Sequence, residues 1–304
     1  MTSTESSNIP SRTVLVTGAT GKQGGATIDA LLSSSMALNI IAVTRSKDSP
    51  SAKRLAARPH LTVLEGDLND PSAIFAQAPV GSIWGVYGVQ INTDAEESQG
   101  TSLIDAAISH GVQHFVYSSG DRGGPEKSEV DPTFVKNFAA KFRIEKHLRE
   151  SAAASTQQMT YTILRPVTFF ENLTTDLHGK GFTRMWEQMG SKPLQMIATK
   201  DIGIFAARAF LEDHWRNAAI SLAGDELTQV QAGKIFKEVT GKEMAMAPCL
   251  IGSTVKFAKK DTVGDMFRWF EEVGYGADVQ MCRSEVAGMM DFKKWLEQSA
   301  FARV

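Results

Sequence analysis

The chain has 304 residues, and 32 Lys and Arg against 34 Asp and Glu leave a formal net charge of −2. That balance argues against a protein held broadly on nucleic acid or anionic lipid by charge. With 42 % hydrophobic and 22 % charged residues, the composition matches a globular protein whose core is large enough to need no staples.

Residues 1–12, MTSTESSNIPSR, have neither a basic n-region nor an apolar run. They read as a disordered tail rather than a signal peptide. Two cysteines, Cys249 and Cys282, are too few for a disulfide framework and fit a reducing compartment. No apolar run approaches the ~18 residues of a membrane span. The expectation is a cytoplasmic protein, with the nucleus left open.

Short β-branched runs then alternate with amphipathic stretches. Strands are predicted at Thr13–Thr17, Asn39–Thr44, Leu61–Glu65, Ser82–Val89, His114–Ser118 and Tyr161–Arg165. Their near-continuous apolar character is that of parallel strands covered on both faces. Helices are predicted at Lys22–Ser34, Glu96–His110 and Phe134–Ser151. The alternation predicts an α/β fold, a Rossmann doubly wound parallel sheet over 13–165. After Pro166 it degrades into helices at Asp201–Leu211, Thr228–Thr240, Thr262–Val273 and Asp291–Gln298. Residues 166–304 therefore read as a smaller mixed α/β subdomain interleaved with the sheet, for substrate or partner.

The first strand runs into Gly18-Ala-Thr-Gly21-Lys-Gln-Gly24-Gly25 and then a helix. Gly18 permits the tight turn, Gly21 lets the backbone approach a pyrophosphate, and Gly24 lets helix and strand pack closely. The helix N-terminus offers unpaired N–H groups and a positive dipole end. A glycine triplet alone is a weak signal; the strand before it and the helix after it make it a dinucleotide loop. The second strand ends Thr44-Arg45-Ser46-Lys47, with no carboxylate until Asp48. Arg45 offers a bidentate fork to a 2′-phosphate, which favours NADP(H) over NAD.

TGATGKQGG at 17–25, GDLND at 66–70 and DAAISHGVQHFVYSSG at 105–120 resemble the NmrA-like family of atypical short-chain dehydrogenases/reductases. LRPVTFFENL at 164–173, DMFRWFEEVGYGADV at 265–279 and DFKKWLEQ at 291–298 carry the likeness across the chain, and it is strongest to the NmrA/HSCARG-like subgroup. The resemblance implies that Gly18, Thr20, Gly21, Lys22, Gln23 and Gly24 line the pyrophosphate, with Arg45 at the 2′-phosphate. It implies Asp67 and Leu68 by the adenine, Val89 and Gln90 near the ribose, and Lys141 at the nicotinamide ribose. Pro166 to Phe170, including Phe169, would bound the nicotinamide pocket.

A short-chain reductase ordinarily pairs a tyrosine with a lysine four residues later on one helix, where the ammonium lowers the phenol pKa. Lys141 is present, but the earlier position is Asn137. Lys141 is then either a proton donor, as in isoflavone-reductase-like relatives, or a ribose contact, or an i,i+4 partner of Glu145. Ser119, Asn137 and Phe170 are the candidate substrate contacts. The six histidines show no metal spacing, so no metal is expected. The basic stretch Lys141, Arg143, Lys146, His147 and Arg149 is interrupted by Glu145 and Glu150 and reads as a solvated face rather than a nucleic-acid surface. Two functions follow. One is an NADPH-dependent oxidoreductase acting on a small carbonyl or aromatic metabolite. The other is a non-catalytic NADP(H) sensor that regulates a partner such as a transcription factor. The oligomeric state stays open.

Overall fold

The structure, a computed structural model, describes residues 12–36, 38–248 and 264–303. The expected N-terminal tail up to residue 11, Cys249, and residues 262 and 263 of one predicted helix lie outside the described residues. Among the described residues no helix is long and apolar enough to cross a membrane.

Six strands follow the predicted order: β1 (Arg12–Val16), β2 (Leu38–Thr44), β3 (Leu61–Glu65), β4 (Gly85–Gly88), β5 (His114–Ser118) and β6 (Thr160–Pro166). Between them lie α1 (Lys22–Leu32), α2 (Pro50–Ala56), α3 (Pro71–Phe75), α4 (Glu96–Ser109), α5 (Pro125–Val130) and α6 (Lys136–Ala154). The chain continues through β7 (Thr168–Phe169), α7 (Leu177–Gln188), β8 (Leu194–Ile197), α8 (Thr199–Leu211), β9 (Ala218–Leu222) and β10 (Asp225–Leu227). It ends in α9 (Gln229–Thr240), α10 (Asp265–Glu272), α11 (Val279–Glu285) and α12 (Phe292–Gln298).

The main sheet has seven strands in the order β3-β2-β1-β4-β5-β6-β9, and every pairing is parallel. Alternate side chains go to opposite faces, as the strand pleat requires. Val14 and Val16 of β1 join one core with Ile28 of α1 and Phe205 of α8. Leu15 joins another with Leu103 of α4 and Ile144 of α6. The same division recurs on β5, where Val116 faces the first core and Phe115 and Tyr117 the second. This is the doubly wound α/β sheet that the sequence predicts.

Residues beyond 166 build a second, three-stranded sheet, β10-β8-β7, in which β8 pairs antiparallel with β10 and parallel with β7. It covers a third core rich in aromatic rings, among them Phe170, Trp186, Phe236, Phe267, Trp269 and Trp295. The chain also returns to the main sheet. β9 adds its seventh strand beside β6, and α8 packs on α1 so closely that a Cβ on Gly203 would lie 2.4 Å from the Ala26 carbonyl carbon.

Candidate functional site

The carboxyl ends of the parallel strands and the loops after them form a cleft, the usual ligand position in such sheets. At one end β1 turns into α1. The Thr17 hydroxyl donates to the carbonyls of Tyr87 and Val89 and accepts from the Val89 amide at 2.9 Å, tying the ends of β1 and β4 together. Gly18 lies at φ +57°, a left-handed conformation that favours glycine. Its carbonyl accepts from the Gly21 amide at 2.8 Å. A Cβ on Gly24 would sit 2.3 Å from that same oxygen, so only glycine fits there. Gly21 caps α1 with no side-chain bond to the helix end among the described residues, and the first turn holds no acidic residue. The positive end of the helix dipole is therefore free for an anion.

A cavity of about 600 Å³ continues from this loop, lined by Gly18, Thr20, Gly21, Arg45, Asp67, Leu68 and Val89 among others. Seven residues expected around a dinucleotide thus share one wall system. Arg45 leaves β2 exposed, and no carboxylate pairs with it among the described residues. The Asp67 carboxylate closes its own turn by accepting from the Asn69 amide at 2.9 Å, and Gln99 reaches over from α4 to Asn69, also at 2.9 Å. Gln90, just past β4, is buried, and neither of its side-chain amide atoms has a partner among the described residues. A backbone cradle that only glycine permits, a free guanidinium and an orphaned amide fit a phosphate-bearing dinucleotide.

Two residues of the loop point elsewhere. The Lys22 ammonium crosses the cleft and donates to the Glu171 carbonyl at 2.8 Å. Gln23 turns inward, and its Oε1 accepts from Ser118 at 2.6 Å and from Tyr87 at 3.4 Å.

At the other end Lys141 lies on α6, one turn after the half-buried Asn137. Lys141 does not pair with Glu145. Its Nζ donates to Glu96, a fully buried carboxylate in the first turn of α4. Burial pushes the Glu96 carboxyl up, against the opposing charge of Lys141. The lysine chain passes over Gly120, near the Pro166 carbonyl, and Phe169 remains partly exposed on β7. No tyrosine hydroxyl bonds to Lys141 among the described residues. Burial pushes Tyr87 up to about 12, against a lowering bond from Ser118, and pushes Tyr117 well above the ordinary phenol value.

Glu145 instead sits at the centre of a buried network. It accepts from Arg122 at 3.0 Å and from Arg165 at 2.6 Å, and the Ser119 hydroxyl donates to it. Ser119, expected at the substrate, is thereby 4 % exposed. Phe170, likewise expected there, has no exposed surface and stacks 5.4 Å from Trp295 in the third core. The basic face of α6 is not simply solvated either: Arg143 pairs with Glu97 at 2.7 Å, His147 with Asp105 at 2.7 Å, and Arg149 with Glu129 at 2.7 Å.

Glu96 and Asp121 escape a reading by residue type. Asp121 is fully buried and accepts from the amides of Gly123, Gly124 and Gly276 and from the Ser221 hydroxyl at 2.6 Å. It joins the loop after β5 to β9 and to the C-terminal lobe. Among the described residues no cluster of three or more metal-ligating side chains occurs.

The family model for the NmrA-like family matches residues 10–301. A relative described as an NmrA-like family domain-containing oxidoreductase, hkm9 of Aspergillus hancockii, is 29 % identical over 269 residues, covering 79 % of this chain and 76 % of its own. The crystal structure of NmrA, a negative transcriptional regulator, superposes with a TM-score of 0.74 at 18 % identity, over 95 % of each chain. The triphenylmethane reductase of Citrobacter sp., solved with NADP(H), superposes with a TM-score of 0.72 at 20 % identity, over 94 % of this chain and 99 % of that one. With its seven-stranded parallel sheet, its small mixed sheet and a family match over nearly its whole length, the chain belongs to the NmrA-like family.

Proposed function

We propose that this protein binds NADP(H) along the strand-end cleft and uses it, in a reducing compartment such as the cytoplasm, to reduce a small carbonyl-bearing or aromatic metabolite. The observation that carries this reading is the layout of the cleft. A glycine cradle at a helix N-terminus lies between an unpaired Arg45 at one end and Lys141 at the other.

Bound nicotinamide supplies the hydride. The chain binds, orients and protonates. The backbone from Gly18 to Gly24 meets the pyrophosphate, and Arg45 with the Thr44 and Ser46 hydroxyls takes the 2′-phosphate. Asp67 and Leu68 bracket the adenine, and Val89 with the unpartnered Gln90 amide meets a ribose. Pro166 and Phe169 form the apolar wall at the nicotinamide, and Asn137 offers its amide to a substrate carbonyl. Lys141 holds the second ribose, and its ammonium is the proton source for the reduced substrate.

A regulatory reading has its own support. Asparagine stands where a phenol would serve, and the two buried tyrosines at the strand ends hold their protons too tightly to replace it. Without turnover, a protein that binds NADP and NADPH unequally would report the redox state to a partner protein.

Calorimetric titration with NADPH, NADP, NADH and NAD, on wild type and Arg45→Ala, tests the binding. Absorbance of NADPH in the presence of quinones and aryl ketones tests turnover. Tight NADPH binding lost in Arg45→Ala, with oxidation by any acceptor, supports the reductase. Binding without oxidation, and with unequal NADP and NADPH affinities, favours the sensor. A preference for NADH sinks the cofactor assignment.

A further inference from the structure

α4 and α6 are joined by two neighbouring ion pairs of different character. Arg143–Glu97 is a surface pair at 2.7 Å, with side chains 49 % and 41 % exposed. Glu96–Lys141, one residue earlier on α4 and two earlier on α6, has a carboxylate that is 0 % exposed and a lysine side chain that is 12 % exposed. Surface pairs contribute little stability, and a buried pair rarely exceeds what an apolar pair in its place would give. Tying α4 to α6 therefore does not require a carboxylate beneath the surface.

The surroundings of the pair show what it does to Lys141. The Cδ of Lys141 lies 3.5 Å from where a Cβ on Gly120 would stand, and the Pro166 carbonyl oxygen lies 3.8 Å from the same point. The side chain thus crosses the carboxyl ends of β5 and β6 before its ammonium meets Glu96. Glu96 Oε1 takes that bond, while Oε2 has no partner among the described residues. The other ionisable groups nearby are Tyr117 on β5, whose buried hydroxyl has no partner among the described residues, Glu145 on α6 with its Arg122, and the Arg143–Glu97 pair. Arg122 and Arg165 neutralise Glu145, so Glu96 is the carboxylate bonded to Lys141.

We propose that Glu96 is a positioning residue for Lys141. It takes one N–H of the ammonium, holds the nearly buried lysine head in place, and leaves the remaining N–H donors to a ligand at the strand ends. What those donors meet rests on the NADP(H) reading above; the control of Lys141 by Glu96 does not, because it is built into the unliganded chain.

The test is cofactor-free. Intact protein is labelled with trace acetic anhydride across a pH series, and the Lys141 peptide is quantified by mass spectrometry. In Glu96→Gln the ammonium loses its counter-charge, and the midpoint of Lys141 labelling falls by about one pH unit or more relative to wild type, roughly a tenfold gain in reactivity below that midpoint. Glu97→Gln leaves the Lys141 midpoint where it is. If the Lys141 midpoint does not move in Glu96→Gln, Glu96 does not control the ammonium, whatever it does to the melting temperature, and the proposal fails. Should Glu96→Gln not fold, Glu96→Asp withdraws the carboxylate by one methylene. Its midpoint then falls by about half a unit, and an unchanged midpoint overturns the proposal. A parallel NADPH titration of wild type separates the two ideas: no binding there refutes the cofactor reading and leaves the labelling result to stand on its own.

Discussion

The two ends of the cleft hold their cations in opposite ways. Arg45 stands in solvent after β2 and pairs with no carboxylate among the described residues, whereas Lys141 is tucked under the strand ends against a carboxylate that water does not reach. An exposed, unpaired guanidinium costs little to keep and is ready for an anion supplied from outside. A lysine already neutralised inside the protein is not an anion trap, and its remaining donors suit a hydroxyl or a carbonyl. On the proposal above, one end serves charge recognition and the other places a proton donor.

The largest effect is expected beneath the lysine end. Glu145→Ala leaves Arg122 and Arg165 as buried charges without their shared carboxylate. It should destabilise the fold by about 3–5 kcal/mol, readable as a shift of the denaturant midpoint. An unchanged midpoint would mean that the network is not the floor of this end. Next comes Asp121→Ala, which strips the acceptor from three glycine amides and Ser221. A loss of about 2–4 kcal/mol is expected, and native-state hydrogen exchange should show faster exchange at Gly123, Gly124 and Gly276.

Arg45→Ala sharpens the contrast between the ends. It should weaken NADPH by about 1.5–3 kcal/mol, or roughly 10- to 150-fold, while leaving NADH affinity nearly level. On the reductase reading, Lys141→Met should lower turnover with NADPH and NADH alike, because that reading puts the 2′-phosphate at Arg45, away from the lysine. Equal losses for both cofactors in Arg45→Ala would erase the distinction.

The smallest effect concerns Asp201 on α8, buried and accepting from the Met290 amide at 3.0 Å. Burial pushes its carboxyl from 3.8 up to about 6. The unfolded chain releases this proton first, so the contribution to stability is present below about pH 4 and is lost as pH rises to about 6. Asp201→Asn removes that loss, and its melting temperature should gain roughly 2–4 °C on wild type between pH 4 and pH 7. His114, which burial pushes down to about 4, acts in the opposite sense over the same window, so the difference between variant and wild type is the quantity to read.

The sequence shows the first lobe well because β4 and β5 are buried along their whole length and the other strands, the edge strand β3 among them, still read as mainly apolar runs. The predicted runs at Asn39–Thr44, Leu61–Glu65 and His114–Ser118 become β2, β3 and β5 with ends within a residue. β4 is shorter than Ser82–Val89 because Trp84 donates to the Thr13 carbonyl before the paired stretch begins and Val89 is taken up by Thr17. The second lobe hides its strands. β8 is four residues, LQMI, and β7 only two, too short for a period to declare itself. α7 carries Gly179 and Gly181 in its first half, which disguises a helix as a linker.

The site divides along the same line. Arg45 is legible as an exposed cation at the cleft because it stands one residue past a strand. Glu96 is not, because Glu96-Glu97 opening a helix looks like ordinary compensation of the helix dipole, and only the fold turns one carboxylate inward and the other outward. Ser119 and Phe170 are legible as residue types at the right place along the chain, but local sequence cannot say that Glu145 claims the hydroxyl or that Trp295 covers the ring.

The return of the chain to the main sheet has a consequence for synthesis. α1 is made well before α8, yet the groove beside Ala26 is filled, among the described residues, by Gly203 of α8, and the outer edge of β6 by β9. A nascent chain ending near Pro166 therefore presents a bare apolar helix face and an open strand edge, a template for pairing with other chains. Completion of the main sheet waits for Leu222, the last residue of β9.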